Sequence, residues 1–251
     1  MDTPSFKLAA YIQGDPKANK LALVMPGLLD TKDYPHMRSH TDYLAARGYY
    51  ALSFDPPGTW ESGGTTARYS ITNCLKAVDE LIQLHGNKPT LLAGHSLGGF
   101  IAALAAARNP HVQSIIAIMS PSSFVRQEDG EDKAAGWPLP KWQELGVRPA
   151  ERDVPNDPAG KRKFNLPYSF VEDSLQYNSL AGLAKLTVPK LFIAGEHDPQ
   201  IRPQMVQAAY DIAAKPKEMR LLNSDHNYRR RQTLIEEANN MIGAFLDKNH
   251  L

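Results

Sequence analysis

Cysteine is nearly absent: Cys74 stands alone among 251 residues. An intrachain disulfide is therefore excluded, as is a metal site built on thiolates, and the fold owes nothing to an oxidising compartment. An excess of charge of either sign is missing too. The 28 basic and 27 acidic side chains leave a formal net charge of +1, which removes the signature of a nucleic-acid partner or of strong membrane-surface binding. Long apolar runs are also lacking. The longest, Phe100 to Ala107, is far too short to span a bilayer, so no integral membrane segment is expected. Met1-Asp2-Thr3-Pro4-Ser5-Phe6-Lys7 has no basic-then-apolar signal pattern, and the expectation is a cytoplasmic protein. There are no internal repeats, low-complexity tracts or heptads, and the sequence carries no sign of an oligomeric state.

What is present is alternation. Leu21–Met25, Tyr49–Phe54, Leu91–Ala93, Ile115–Met119, Lys190–Ala194 and Met219–Asn223 are short apolar runs without polar alternation. Such runs suit strands covered on both faces, hence a mostly parallel sheet. Helical spacing fills the gaps: Ile71, Leu75, Val78 and Ile82 share one face, as do Leu234, Ala238, Met241 and Phe245, and more briefly Val206, Ala209, Tyr210 and Ala213. Strand–helix alternation implies an α/β fold with a doubly wound sheet. Phe6–Gln13 is read as an antiparallel edge strand. From Pro121 to about Leu186 the rhythm stops, and prolines, charges and scattered aromatics take over. A structureless stretch of that length is unusual inside a compact domain. The expected organisation is a core of residues 1–120 and 187–251 with an inserted cap or lid, 121–186. The cap is read as short helices, with Tyr168–Leu175 the clearest.

The chemistry centres on Gly94-His95-Ser96-Leu97-Gly98-Gly99, between a strand and a small-residue helix. A G-x-S-x-G pattern in that context describes a nucleophile elbow, a tight turn that lifts the serine hydroxyl clear of the sheet. The two outer glycines leave room where strand and helix backbones approach. A serine hydroxyl is a poor nucleophile at neutral pH, so it needs a base, and the base needs an orienting acid. Each should lie on a loop after a later strand, in the order serine, acid, histidine. Asp198, in Gly195-Glu196-His197-Asp198-Pro199, is the expected acid, with Glu196 as the nearest rival. His226, in Ser224-Asp225-His226-Asn227, is the expected base, as the one histidine of eight between the last strand and the last helix. Of the others, His95 is expected to pack around the elbow and His197 to be structural or pocket-lining. His36, His40, His85, His111 and His250 are assigned to loops or helix surfaces.

Two backbone N–H groups are needed for the oxyanion. Leu97 supplies one at the start of a helix, and Leu28, in Pro26-Gly27-Leu28-Leu29-Asp30, is expected to supply the other, with Leu29 as the alternative. Asp55 precedes the serine in sequence and reads as a turn residue. Trp137, Trp142, Phe164, Tyr168 and Phe170 either line an acyl pocket or form the cap's own core, and Trp60 is expected to narrow or line the pocket. Arg229-Arg230-Arg231 reads as a solvated helix start, with an anion site as the less favoured alternative.

With these residues in place the chain resembles the α/β-hydrolase superfamily from about Leu21 to the C-terminus. Within it, Gly94–Gly99, Gly195–Asp198 and Asp225-His226 look like the serine aminopeptidase-like, monoacylglycerol-lipase-like and small carboxylesterase group. Ser169–Asp173 is faintly similar to the cap of hydroxycinnamoyl esterases. Two departures stand out: Pro26-Gly27 replaces the His-Gly common in relatives, and Pro56-Pro57 with Trp60 replaces Arg and Gly. The resemblance implies a serine hydrolase that cleaves a small or medium carboxylic ester through an acyl-enzyme, with no metal and no cofactor. A peptidase or thioesterase on the same triad, or a non-catalytic binding protein on the same scaffold, are the alternatives.

Overall fold

The apolar runs without polar alternation form the centre of the molecule, and the computed structural model describes residues 1–128 and 130–251. Along the chain come β1 (Ala10–Gln13), β2 (Leu21–Met25), α1 (Pro35–Ala46), β3 (Tyr50–Phe54), α2 (Ile71–Leu84), β4 (Thr90–His95), α3 (Leu97–Ala106) and β5 (Val112–Ile118). The alternation then breaks. β6 (Val125–Glu128), β7 (Glu131–Ala134), β8 (Trp137–Pro138), α4 (Leu139–Leu145), β9 (Val147–Val154), β10 (Asp157–Pro167), α5 (Ser169–Ser174) and α6 (Leu180–Leu183) follow. It resumes with β11 (Lys190–Gly195), α7 (Pro203–Ile212), β12 (Lys217–Leu222) and α8 (Gln232–Lys248).

One seven-stranded sheet runs in the order β1-β3-β2-β4-β5-β11-β12. All its pairings are parallel except β1 on β3, where Ala10 faces Phe54 and Gln13 faces Ala51. β2, β4 and β11 are buried at every position, which is why their sequences carry no polar alternation. From β2 the order steps outward to β3, then back across β2 to β4. With right-handed crossovers that reversal puts α1 on one face and α2, α3 and α7 on the other; α1 packs on α8, and α2 on α3. The registers align the carboxyl ends, Met25 with Gly94, His95 with Ile118 and Gly195 with Leu222. The crevice at that edge is where an open α/β sheet places its site.

Two elements depart from the sequence reading. α1 gave no apolar periodicity because its buried face is His36, Met37, His40, Thr41 and Leu44. Histidines occupy the stripe that leucines usually fill, so His36 and His40 are core residues and not loop or helix-surface groups. The second departure is the cap, which is built largely of antiparallel ribbons: β9 pairs with β10, and β6, β7 and β8 form a three-stranded sheet. Those strands are mostly polar and carry only isolated buried apolar residues, Ala134, Phe164 and Leu166, so the continuous apolar run of a central strand is missing from them. Pro155-Asn156 turns the β9–β10 hairpin, with Asn156 at φ +62°. Trp142, Leu166, Phe170 and Val171 form a small apolar centre beneath the ribbons. The expected helix in the cap is present as α5.

Candidate active site

The elbow is set by backbone crowding. Ser96 has φ 53° and ψ −119°, a conformation side-chain-bearing residues rarely adopt. Its N–H is anchored to the Ile118 carbonyl at 2.8 Å. A Cβ on Gly94 would lie 2.2 Å from the Gly98 carbonyl carbon, and one on Gly98 would lie 2.1 Å from the Met25 carbonyl oxygen. Only glycine lets β4, α3 and the end of β2 come that close.

The strained turn aims Ser96 at the loop after β12. Ser96 Oγ lies 3.0 Å from His226 Nε2, and His226 Nδ1 lies 2.7 Å from Asp198 Oδ2. Asp198 Oδ1 accepts the N–H groups of Gln200 at 2.8 Å and Ile201 at 2.9 Å. A buried carboxylate satisfied on both oxygens keeps one orientation, and an imidazole donating to it keeps its Nε2 free to accept the serine proton. Asp198 is buried while its rival Glu196 is exposed, because the Glu196 and His197 N–H groups hold the turn onto the Leu222 and Ser224 carbonyls. His197 is exposed and does not line the cavity over Ser96. His95 packs behind the elbow as expected: its Nε2–H donates to the His226 carbonyl at 3.1 Å, and burial next to His226 holds the ring well below the ordinary histidine range.

After β2 the chain turns at Pro26–Asp30, and this loop is tied on several sides. Trp60 Nε1–H donates to the Leu29 carbonyl at 2.8 Å, and Leu29 N–H donates to Tyr69 Oη at 3.3 Å. Arg152 reaches down from β9 and donates to the Leu28 carbonyl at 3.0 Å from Nε and 2.6 Å from Nη2. Leu28 and Leu97 line the cavity beside Ser96, and neither of their N–H groups has an acceptor among the described residues. Leu29 is fully buried and its N–H is engaged by Tyr69, so of the two expected donors Leu28 is the one with an unengaged N–H beside Ser96. Asp55 is a loop fastener: its carboxylate accepts Thr31 Oγ1 at 2.7 Å, Lys32 N–H at 2.9 Å and Glu61 N–H at 3.2 Å.

A cavity of about 180 Å³ opens over Ser96. Among the described residues its walls are basic, with Arg126, Arg148, Arg152 and Arg229 against the single acid Asp30. Trp60, Trp137, Trp142 and Phe170 are not among its lining residues. Trp60 packs edge-on to Tyr34 and Phe164; Trp142 is buried and donates to the Leu166 carbonyl at 3.1 Å; Phe170 contacts Tyr69 and Phe124. Of the two readings for these aromatics, the structure places them in the cap core and its seam with the sheet. Trp137 and Trp142 meet the cavity at one remove, as the surfaces on which Arg148 rests. Arg229 also corrects the sequence reading. Its side chain is 13% exposed, paired with Asp153 at 3.0 Å and stacked over Tyr34, so it is a wall residue rather than a solvated one. The short helical turn Tyr228–Arg230 swings it under the β9–β10 hairpin. Sequence reasoning missed the arginines of the cap because a charged, proline-rich stretch carries no signal separating wall residues from solvated ones.

One cluster has the donor types of a metal site. Asp30, His36 and His95 bring a carboxylate oxygen and two ring nitrogens within 4.8 Å of one another. Arg152 already pairs with Asp30 at 3.2 Å, and Arg229 adds a second positive field at both histidines, so the surroundings oppose a cation there. Cys74, buried in α2, has its thiol pushed up by burial and is out of reach as a nucleophile.

A strained serine at the head of a helix, an acid and a histidine on later strand ends, and a mostly parallel sheet beneath them define a class of α/β enzymes. Residues 23–233 match the model of the alpha/beta hydrolase family, and the chain belongs to that family. Among curated proteins, the mitochondrial palmitoyl-protein thioesterase ABHD10 of Rattus norvegicus is 22% identical over 212 residues, covering 84% of this chain and 69% of that protein. Among solved structures, Est1E from Butyrivibrio proteoclasticus, with ferulic acid bound, superposes with a TM-score of 0.74 at 18% identity, covering 99% and 97% of the two chains. The thioesterase domain from the curacin biosynthetic pathway superposes with a TM-score of 0.69 at 17% identity, covering 98% and 97%. At these identities the superpositions speak to the fold.

Proposed function

We propose that the protein is a serine hydrolase that cleaves a small carboxylic ester through an acyl-enzyme. The observation that carries this reading is the unbroken chain Asp198–His226–Ser96, at 2.7 and 3.0 Å, opening onto two unengaged N–H groups. Ser96 Oγ attacks the ester carbonyl while His226 Nε2 takes its proton. Asp198 stabilises the imidazolium, and the Leu28 and Leu97 N–H groups receive the developing oxyanion, with the α3 N-terminus adding its dipole. His226 then gives the proton to the departing alkoxide. In the second half it takes a proton from water, whose oxygen attacks the acyl carbon, and returns that proton to Ser96 Oγ as the acid leaves.

The cavity favours short substrates. At about 180 Å³ it lies below the roughly 300–1,000 Å³ of pockets that hold drug-sized ligands. A thioester is the second reading, favoured by the thioesterases among the similar proteins; the same triad serves it, but the cavity disfavours a long acyl chain. A peptidase, or a silent binding protein on this scaffold, remains an outcome of the test.

The test is labelling with an uncharged fluorophosphonate and turnover of p-nitrophenyl esters of rising acyl length. The expected result is labelling that vanishes in Ser96→Ala and turnover that peaks at short acyl chains. Wild-type protein that neither labels nor turns over any ester or thioester would assign the chain to the binding proteins. Cleavage of aminoacyl amides alone would favour the peptidase.

A further inference from the structure

Three of the four arginines around the cavity are engaged. Arg152 donates twice to the Leu28 carbonyl and pairs with Asp30, Arg229 pairs with Asp153, and Arg126 donates to the Gln200 carbonyl at 3.1 Å. Arg148 is different. Among the described residues it has neither a hydrogen bond nor an ion pair, and its Nε and Nη1 are buried without an acceptor. It is also not loose. The guanidinium carbon lies 5.6 Å from the Trp137 ring centre and 5.5 Å from that of Trp142, so two indoles fix its plane. Burial and the neighbouring Arg152 pull Arg148 down to about 10, which leaves it charged at neutral pH.

A fixed, charged, half-buried guanidinium without an acceptor is costly, and native structures leave few such groups unexplained. Here the missing acceptor has a place to come from, because Arg148 lines the same cavity as Ser96. The rest of the wall agrees. Among the described residues Asp30 is the one carboxylate of its lining and is paired with Arg152, so those residues present a net positive field that draws in anions.

We propose that the substrate cleaved at Ser96 carries an anionic group, a carboxylate or a phosphate, set apart from its scissile carbonyl, and that Arg148 receives it. This rests on Ser96 being the nucleophile, as argued above. The guanidinium fork suits either anion, since both offer paired oxygens. A small cavity with a fixed cation then selects short charged esters over long apolar ones.

The test compares matched pairs. On the acyl side, p-nitrophenyl hemiglutarate and its 4-phosphonobutyrate analogue are set against p-nitrophenyl pentanoate. On the alcohol side, butyrate esters of 4-hydroxybutanoate and of 3-hydroxypropyl phosphate are set against butyl butyrate, followed by pH-stat. At least one anionic ester is expected to exceed its neutral partner in kcat/KM by about ten- to a hundredfold, the worth of a charge-assisted hydrogen bond. Whether the carboxylate or the phosphate leads identifies the anion. In Arg148→Met, which keeps a long side chain between the two indoles, that ratio is expected to fall towards one, and in Arg148→Lys to be partly kept.

Wild-type ratios at or below one for every pair would overturn the inference without any variant having to fold. So would a ratio that survives in Arg148→Met. Failure of the hydrolase reading looks different: no fluorophosphonate label on Ser96 and no turnover of neutral or charged esters alike.

Discussion

Ser96 is held at φ 53° by its neighbours, so its position does not depend on the substrate. In the proposed mechanism its reactivity depends on Asp198, whose carboxylate is fixed by two backbone N–H groups on one oxygen and by His226 on the other. In Asp198→Asn an amide would replace an oxygen that accepts from Nδ1–H, and the imidazole would no longer be held in the tautomer whose Nε2 accepts from Ser96. The expected loss is about 10⁴-fold in kcat with the fold intact, a magnitude typical of this substitution in serine triads. Steady-state turnover, read beside the melting temperature, checks it; a loss below tenfold would mean that Asp198 does not orient the base.

At the scale of elements, the loop after β2 and the β9–β10 hairpin act together. Arg152 spans them, donating from β9 into the Leu28 carbonyl, while the Leu28 N–H, the proposed oxyanion donor, has no acceptor among the described residues. Removing a whole oxyanion donor typically costs about 10²–10³ in kcat, so loosening one should cost less, on the order of tenfold. Arg152→Met is therefore expected to lower kcat while leaving KM for a neutral ester within about twofold; a change confined to KM would make Arg152 a substrate contact instead. The same elements show how much the sequence could reveal. β2, β4, β5 and β11 were legible because a doubly covered strand must be apolar throughout or nearly so. Ser96, Asp198 and His226, which the structure brings into one hydrogen-bonded chain, were proposed together because the chemistry demands fixed residue types on fixed strand ends. α1 was not legible, since His36 and His40 stand where periodicity looks for apolar side chains. Nor was the cap, whose ribbons are mostly polar with only isolated apolar residues, or the engagement of the Leu29 N–H by the Tyr69 hydroxyl.

The buried histidines couple this site to the stability of the whole molecule. His36, His40 and His95 form a connected group with Tyr228: ring centres are 6.2 Å apart for His36 and His40, and 5.2 Å apart for His36 and both His95 and Tyr228. His40 is bound on both nitrogens, to Asn239 at 2.6 Å and Tyr228 Oη at 2.7 Å, and burial lowers it to about 4. His36 and His95 are held well below the ordinary range, chiefly by burial and then by neighbouring histidines. In the unfolded chain all three titrate near the ordinary value of about 6.5. Below that pH the unfolded state takes up protons that the native state refuses, so stability falls as pH falls. Each refused proton contributes a slope of up to about 1.4 kcal/mol per pH unit, beginning near 6.5 and ending for His40 near pH 4. The Arg229 charge acts in the same direction on His36 and His95, while at His40 the Asn239 bond opposes the effect of burial. Denaturant midpoints are therefore expected to hold between pH 8 and 7 and to drop steeply from pH 6.5 to 4.5. His36 is the informative position, because both its ring nitrogens are buried without partners. His36→Phe keeps the aromatic packing and removes one refused proton, so its stability profile should be flatter by about one proton's slope below pH 6.5. A variant profile parallel to the wild type would show that His36 is protonated in the native protein and has an acceptor there.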